Sequence, residues 1–189
     1  GFALFRPGRA SKWCRTIIWQ RQFQTRVFRS RRQSPKIVEA AGDMLYLDTS
    51  ALLKLYLRED GSEWVQAQVS EQSDPLPIWE LQEAELTNAL RLKVFWRDIT
   101  AAQSEAQLAH FRSRKDRGQY FFPHLDRAAL MERFRLLARH SMKLGTRTLD
   151  VMHVACACEI HADRFVSFDE RQLALAKLAG LRVLKLGST

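Results

Sequence analysis

Long apolar runs are missing from this sequence. Arg, Lys, Asp or Glu interrupts every hydrophobic stretch before the roughly 18 to 20 residues that a membrane-spanning helix needs. That excludes helical membrane insertion and leads us to expect a soluble protein. Cysteine is scarce, with 3 in 189 residues. Cys156 and Cys158 are one residue apart in an apolar helical pattern, so they point in different directions, and no second Cys or His pair lies at ligand spacing. A disulfide framework and a zinc knuckle are both excluded; small core thiols in a reducing, cytoplasmic compartment are expected. Internal repeats and low-complexity tracts are also lacking. Most of the chain has no charge surplus either: of the net +9, residues 1–43 hold 10 Lys or Arg against 2 acids, whereas residues 44–189 hold 20 against 19.

The basic leader over residues 1–43 scatters Trp13, Trp19, Arg21, Arg26, Arg31 and Arg32 without a sustained period and reads as poorly ordered. A nucleic-acid-binding arm, an Arg-rich targeting segment and sequence upstream of the true start compete to explain it. We favour the last, because Met44 stands directly before the first clear strand and the chain opens with Gly1.

From Met44 the pattern is regular, and with 46% hydrophobic residues the chain can bury one core. MLYLD is an apolar run of strand length, TSALLKLYL has helical spacing, and Arg58 to Gly61 is an exposed stop. Ser62 is placed to cap a helix to about Gln72, and an apolar stretch near Leu76 to Trp79 leads into a long helix over 80–96. Thr100 opens a helix to about Lys115, and YFFPHL reads as a short, proline-limited edge strand or extended connector. Asp126 caps a helix to Lys143, and Thr148 caps LDVMHVACACEIHA. RFVSF is a buried-type strand, Asp169 opens a helix to Ala179, Gly180 ends it, and LRVLKL is the last strand. Strands that alternate with helices and read as continuous apolar runs predict an α/β fold, a mostly parallel sheet with helices on both faces.

In such sheets ligands bind beyond the carboxyl ends of the strands. Asp48 ends the first strand and Asp169 ends RFVSF, so the two acids occupy equivalent places and can share one sheet edge. Taken singly, each reads as a helix cap. Asp150 sits near the start of a helix that is apolar almost all round, where a carboxylate needs a cation or a hydrogen-bond donor. Glu85 lies among small and apolar neighbours, but spacing alone does not separate it from Glu80 or Glu83. Convergence of all four acids demands counter-charge, and no Lys or Arg lies beside more than one of them in sequence. A hard divalent cation, Mg²⁺ or Mn²⁺ rather than Zn²⁺, answers that demand.

The segments LDTSALLKLYL, EAELTNAL, TLDVMHVA and VSFDERQLALA, in that order, resemble the PIN-domain ribonucleases, most of all the VapC-like toxins of type II toxin–antitoxin modules. The resemblance covers residues 44–189 and implies a PIN-like three-layer α/β/α fold. It places the family's four acids on Asp48, Glu85, Asp150 and Asp169, selecting Glu85 over Glu80 and Glu83. Family hydroxyls fall on Ser50 and Ser167. It implies Mg²⁺- or Mn²⁺-dependent hydrolysis of RNA by an activated water, a homodimer, and a cognate VapB-like antitoxin. Trp79 departs from the pattern, being bulky where smaller polar residues are usual after the second strand.

His153, one turn after Asp150, reads as a hydrogen-bonded structural residue rather than a phosphate contact. The basic clusters Arg112, Arg114, Lys115, Arg117 and Arg135, Arg139, Lys143 read as solvated faces before RNA contacts. Two other functions stand beside the nuclease. One is a catalytically silent PIN-like module that binds RNA or protein. The other is a phosphatase with Asp48 as nucleophile, disfavoured because Ser50 stands where such enzymes carry a second acid.

Overall fold

Leu45 and Leu47 face one way from the first strand and Tyr46 the other, and that alternation sets out the layers. The computed structural model describes residues 44–187. The leader expected over residues 1–43 therefore lies outside the described residues. Strand β1 spans Leu45–Leu47, β4 Arg164–Val166 and β5 Arg182–Leu184, and β4 pairs in parallel with both of the others. A second parallel pair joins β2 (Leu76–Pro77) to β3 (Tyr120–Phe121). The extended connector thus contributes a strand, and Ile78 prolongs its ladder by donating to Phe121 O at 2.9 Å.

One face of the sheet buries Leu45, Leu47 and Val166 against α1 (Thr49–Leu53), α2 (Ser62–Ser70), α3 (Glu80–Phe95) and α4 (Ala101–Asp116). The other buries Tyr46 and Phe165 against α5 (Arg127–Ala138), α7 (Thr148–Glu159) and α8 (Glu170–Leu178). This is the expected three-layer α/β/α arrangement. Cys156 is buried in the second face and its thiol is pushed up to about 12 by burial, so it packs as a small apolar group.

Side chains complete what the short ladders leave open. The Gln82 amide donates to Leu47 O at 2.6 Å and its carbonyl accepts the Trp79 amide at 3.0 Å, pinning the start of α3 to the end of β1. Thr100, Asp126 and Asp169 cap α4, α5 and α8 as read from sequence. Ser62 and Thr148 do not cap; each is the first helical residue, after Gly61 and Arg147. Ser62 still closes the turn, accepting from the Glu59 amide and donating to Leu57 O, both at 2.9 Å. Gly61 has φ +84°, and a Cβ there would meet the Phe168 ring at 2.8 Å. The helix expected from Asp126 to Lys143 divides into α5 and a short α6 (Ser141–Leu144), where Ser141 bonds the Thr146 hydroxyl at 2.8 Å.

Candidate functional site

The carboxyl ends of β1 and β4 meet where Asp48 N donates to Val166 O at 3.0 Å. Asp48 follows directly and caps α1, its Oδ1 accepting the Ala51 amide at 2.8 Å. Ser50 donates to Asp48 Oδ1 at 2.7 Å, and Ser167, just past β4, donates to Oδ2 at 2.8 Å. Both hydroxyls also accept backbone amides: Phe168 N bonds Ser50 Oγ and Asp169 N bonds Ser167 Oγ, each at 3.0 Å. Two strand ends are thereby stitched through one carboxylate. Asp48 is buried and has no Lys or Arg in an ion pair among the described residues. Burial raises its carboxyl above the usual range, and the field of His153, the Ala51 amide and the Ser50 and Ser167 hydroxyls offset this only in part.

Glu85, on α3, is separated from its neighbours by what it touches. Glu83 turns to Lys115 at 2.8 Å and Glu80 is exposed, whereas Glu85 Oε2 accepts from Thr49 Oγ1 at 2.5 Å and from His153 Nε2 at 2.6 Å. Burial works to raise the Glu85 carboxyl, but the hydrogen bond and field of His153 and the Thr49 hydroxyl outweigh it and hold the group below its ordinary value. His153 is hydrogen-bonded, as its place on an apolar helix suggested, but one of its partners is a candidate acid.

Asp150 is buried near the start of α7, where its Oδ2 accepts the Arg147 amide at 2.7 Å. The donor that a buried carboxylate requires is thus the backbone of its own helix start. The Arg147 guanidinium lies 3.4 Å from Asp150 Oδ2 and 3.5 Å from Asp169 Oδ2. One arginine thus supplies counter-charge to two acids that lie 19 positions apart in sequence. Asp169 caps α8 through the Arg171 amide at 2.8 Å and meets the Arg171 guanidinium at 3.3 Å. Burial opposes ionisation there too, yet Arg171 and the capping amides hold Asp169 below the ordinary aspartate range.

Three of the acids belong to one polar network, since Asp48 reaches the Asp169 amide through Ser167 and Asp169 reaches Asp150 through Arg147; Glu85 belongs to a second one, through Thr49 and His153, on the helices that follow Asp48 and carry Asp150. They are not drawn into a single ligand set, since among the described residues no three such groups stand close enough to hold one metal ion. Arg147 and Thr49 are the residues that the sequence pattern alone did not single out. Thr49 had a signal, its position between Asp48 and Ser50; Arg147 had none beyond lying three residues before Asp150. The basic clusters resolve unevenly. Arg114 stacks over Tyr120 and Lys115 pairs with Glu83, while Arg112, Arg117, Arg135, Arg139 and Lys143 are exposed.

Residues 45–178 match the family model for the PIN domain. Among solved structures, the chain is similar to Mycobacterium tuberculosis VapC20, described as a sarcin–ricin loop cleaving toxin, at 14% identity and TM-score 0.54, over 72% of this chain and 95% of that one. It is also similar to FitAcB from Neisseria gonorrhoeae (14% identity, TM-score 0.52, 75% and 97% covered). VapBC-1 from nontypeable Haemophilus influenzae is a third (15% identity, TM-score 0.53, 75% and 98% covered). At these identities the likeness is one of fold. No curated protein matches.

Proposed function

Because this chain belongs to the PIN domain family, we propose that it is a divalent-metal-dependent endoribonuclease, the toxin of a toxin–antitoxin module. The observation that carries the reading is Asp48, a carboxylate buried at the meeting of two strand ends with no cationic side chain of its own, in one network with Asp169 and Asp150. Its donors are Ala51, Ser50 and Ser167, and a cation would offset the burial that still opposes its charge.

The chemistry of the donors suits Mg²⁺ or Mn²⁺, although their present spacing does not gather three of them around one point. The donors are carboxylate oxygens, and the Arg147 guanidinium already stands as a cation between two of them. Asp48, Glu85, Asp150 and Asp169 would hold the ion. When bound it supplies a Lewis acid for the scissile phosphate and lowers the pKa of the attacking water. Ser50 and Ser167 fix the Asp48 carboxylate in orientation. Thr49 and His153 both grip Glu85 Oε2, leaving Oε1 without a hydrogen-bond partner among the described residues. Arg147 is largely exposed, so it can leave the acids and meet an RNA phosphate instead.

The similar structures support the toxin reading: VapC20 is described as cleaving the sarcin–ricin loop. We extend the proposal to a VapB-like antitoxin partner, a homodimer and a cytoplasmic site of action. No described helix is long and apolar enough to cross a membrane. The Arg147 ion pairs favour a second reading, a catalytically silent RNA- or protein-binding module with its acids already neutralised. Incubation of purified protein with RNA, with and without Mg²⁺, separates the two. Metal-stimulated cleavage leaving ligatable 5′-phosphates supports the nuclease; RNA binding without cleavage supports the silent module.

A further inference from the structure

Behind Glu85 runs a buried polar chain that the acid set does not require. Trp79 Nε1 donates to the Tyr46 hydroxyl at 3.0 Å, Tyr46 lies 3.0 Å from His153 Nδ1, and His153 Nε2 lies 2.6 Å from Glu85 Oε2. Tyr46 is fully buried, stacked on Phe165 with ring centroids 5.4 Å apart, and His153 is 3% exposed. The direction of the chain follows from the inventory of protons. An ionised carboxylate only accepts, so Nε2 must carry the hydrogen. In the singly protonated ring Nδ1 is then the acceptor, and the Tyr46 hydroxyl, already accepting from Trp79, is placed to supply its one proton there. The Cys156 thiol also lies beside the Tyr46 hydroxyl, but sulfur is a weak acceptor and does not compete with an imidazole nitrogen.

We propose that Trp79 and Tyr46 are positioning residues that lock His153 in its Nε2–H form, so that His153 and Thr49 together hold Glu85 by one oxygen and present the other to a divalent cation. The proposal rests on Glu85 being a metal ligand. It gives a role to Trp79, whose indole N–H reaches the Tyr46 hydroxyl from where smaller polar residues are usual. Hydrogen-bond partners of a metal-ligating carboxylate, the place His153 takes beside Glu85, typically affect metal affinity by about 10- to 100-fold.

The test has two parts on the full chain. In metal-free protein labelled with ¹⁵N-histidine at about pH 7.5, long-range ¹H–¹⁵N spectra should show His153, assigned by its loss in His153→Gln, as the neutral Nε2–H tautomer. Tyr46→Phe should shift its Nδ1 resonance toward that of a nitrogen lacking a donor. Direct Mn²⁺ binding, followed by the paramagnetic resonance signal of the free ion, should weaken about 10-fold in Tyr46→Phe. Trp79→Phe, at a partly exposed position, should weaken it in the same direction and carries the test if Tyr46→Phe does not fold. An Nδ1–H or doubly protonated His153 overturns the proposal. So does Mn²⁺ affinity that is lost in Asp48→Asn yet unchanged in Tyr46→Phe and Trp79→Phe. Affinity indifferent to Asp48→Asn overturns the metal reading itself, and the proposal with it.

Discussion

Ser167 donates its hydroxyl to Asp48 Oδ2 at 2.8 Å across 119 positions of sequence. Its oxygen also accepts the Asp169 amide, so one hydroxyl couples the ends of two neighbouring strands and two candidate acids. Ser167→Ala removes a buried donor to a carboxylate and should cost about 1.5–3 kcal/mol in urea unfolding, the range for hydrogen bonds to charged groups. A loss below about 0.5 kcal/mol would show that the bond contributes little.

Asp48 gives a pH-dependent expectation with a definite sign. Burial raises its carboxyl, so the folded state penalises the charged form. That penalty is fully present above the folded pKa and disappears as pH falls below the ordinary aspartate value of about 3.9. Without metal, Asp48→Asn should therefore unfold at a temperature equal to or above that of the native chain at pH 7, with the difference shrinking in acid. A cation at 100 times its Kd should add about 2.7 kcal/mol to the native chain. Scanning calorimetry with and without Mg²⁺ should show that gain lost in Asp48→Asn.

Glu85 behaves in the opposite sense. Although burial opposes ionisation, His153 and Thr49 hold the carboxyl below its ordinary value, so its stabilisation is present above about pH 4.3 and lost as pH falls through the folded pKa. In Glu85→Gln the stability lost relative to the native chain should be largest near neutrality and vanish in acid. Urea midpoints from pH 7 to pH 3 check this, and a gap that widens in acid would contradict it.

Arg147 contacts Asp150 and Asp169 at 3.4 and 3.5 Å but is largely exposed, which limits what its guanidinium contributes to about 0–1 kcal/mol. Its backbone amide, the closer partner of Asp150, survives substitution. Arg147→Ala should leave the unfolding temperature nearly unchanged and tighten Mn²⁺ binding several-fold by removing a competing cation. Weaker binding would make Arg147 a support of the site rather than a competitor.

Gln82 joins β1 to the start of α3 through a buried bond at 2.6 Å and a part-buried one at 3.0 Å. Gln82→Ala strands a carbonyl and an amide at about 1–3 kcal/mol each. Chemical denaturation should reveal that loss, and a variant as stable as the native chain would mean that water or a backbone shift replaces the amide.

The layers were legible because Leu45, Tyr46 and Leu47, with Phe165 and Val166, form runs apolar on both faces, which only a covered parallel strand requires. Helix starts were legible where the residue after the turn had a short polar side chain free to bond forward, as at Thr100, Asp126 and Asp169. They shifted by one where such a residue had other work: Ser62 bonds back to Leu57 and Glu59, and Arg147 is held by Asp150 rather than by Thr148. The break between α5 and α6 left no trace in the periodic pattern, because the Ser141–Thr146 bond that accompanies it depends on the loop after α6. The strand-end acids could be placed from sequence on one sheet edge. The link from Glu85 to His153 spans 68 positions and that from Tyr46 to His153 spans 107, and neither is encoded in local spacing.

The most direct test of the four-carboxylate metal centre is the initial rate of cleavage of end-labelled RNA as a function of Mg²⁺ concentration, for the native chain and for Asp48→Asn. The account requires a rate that rises with Mg²⁺ to saturation, falls to background in chelator, and drops at least about 100-fold in Asp48→Asn, the scale on which losing an electrostatic group at the reacting centre is felt. Cleavage that proceeds equally in chelator, or equally in Asp48→Asn, would contradict it.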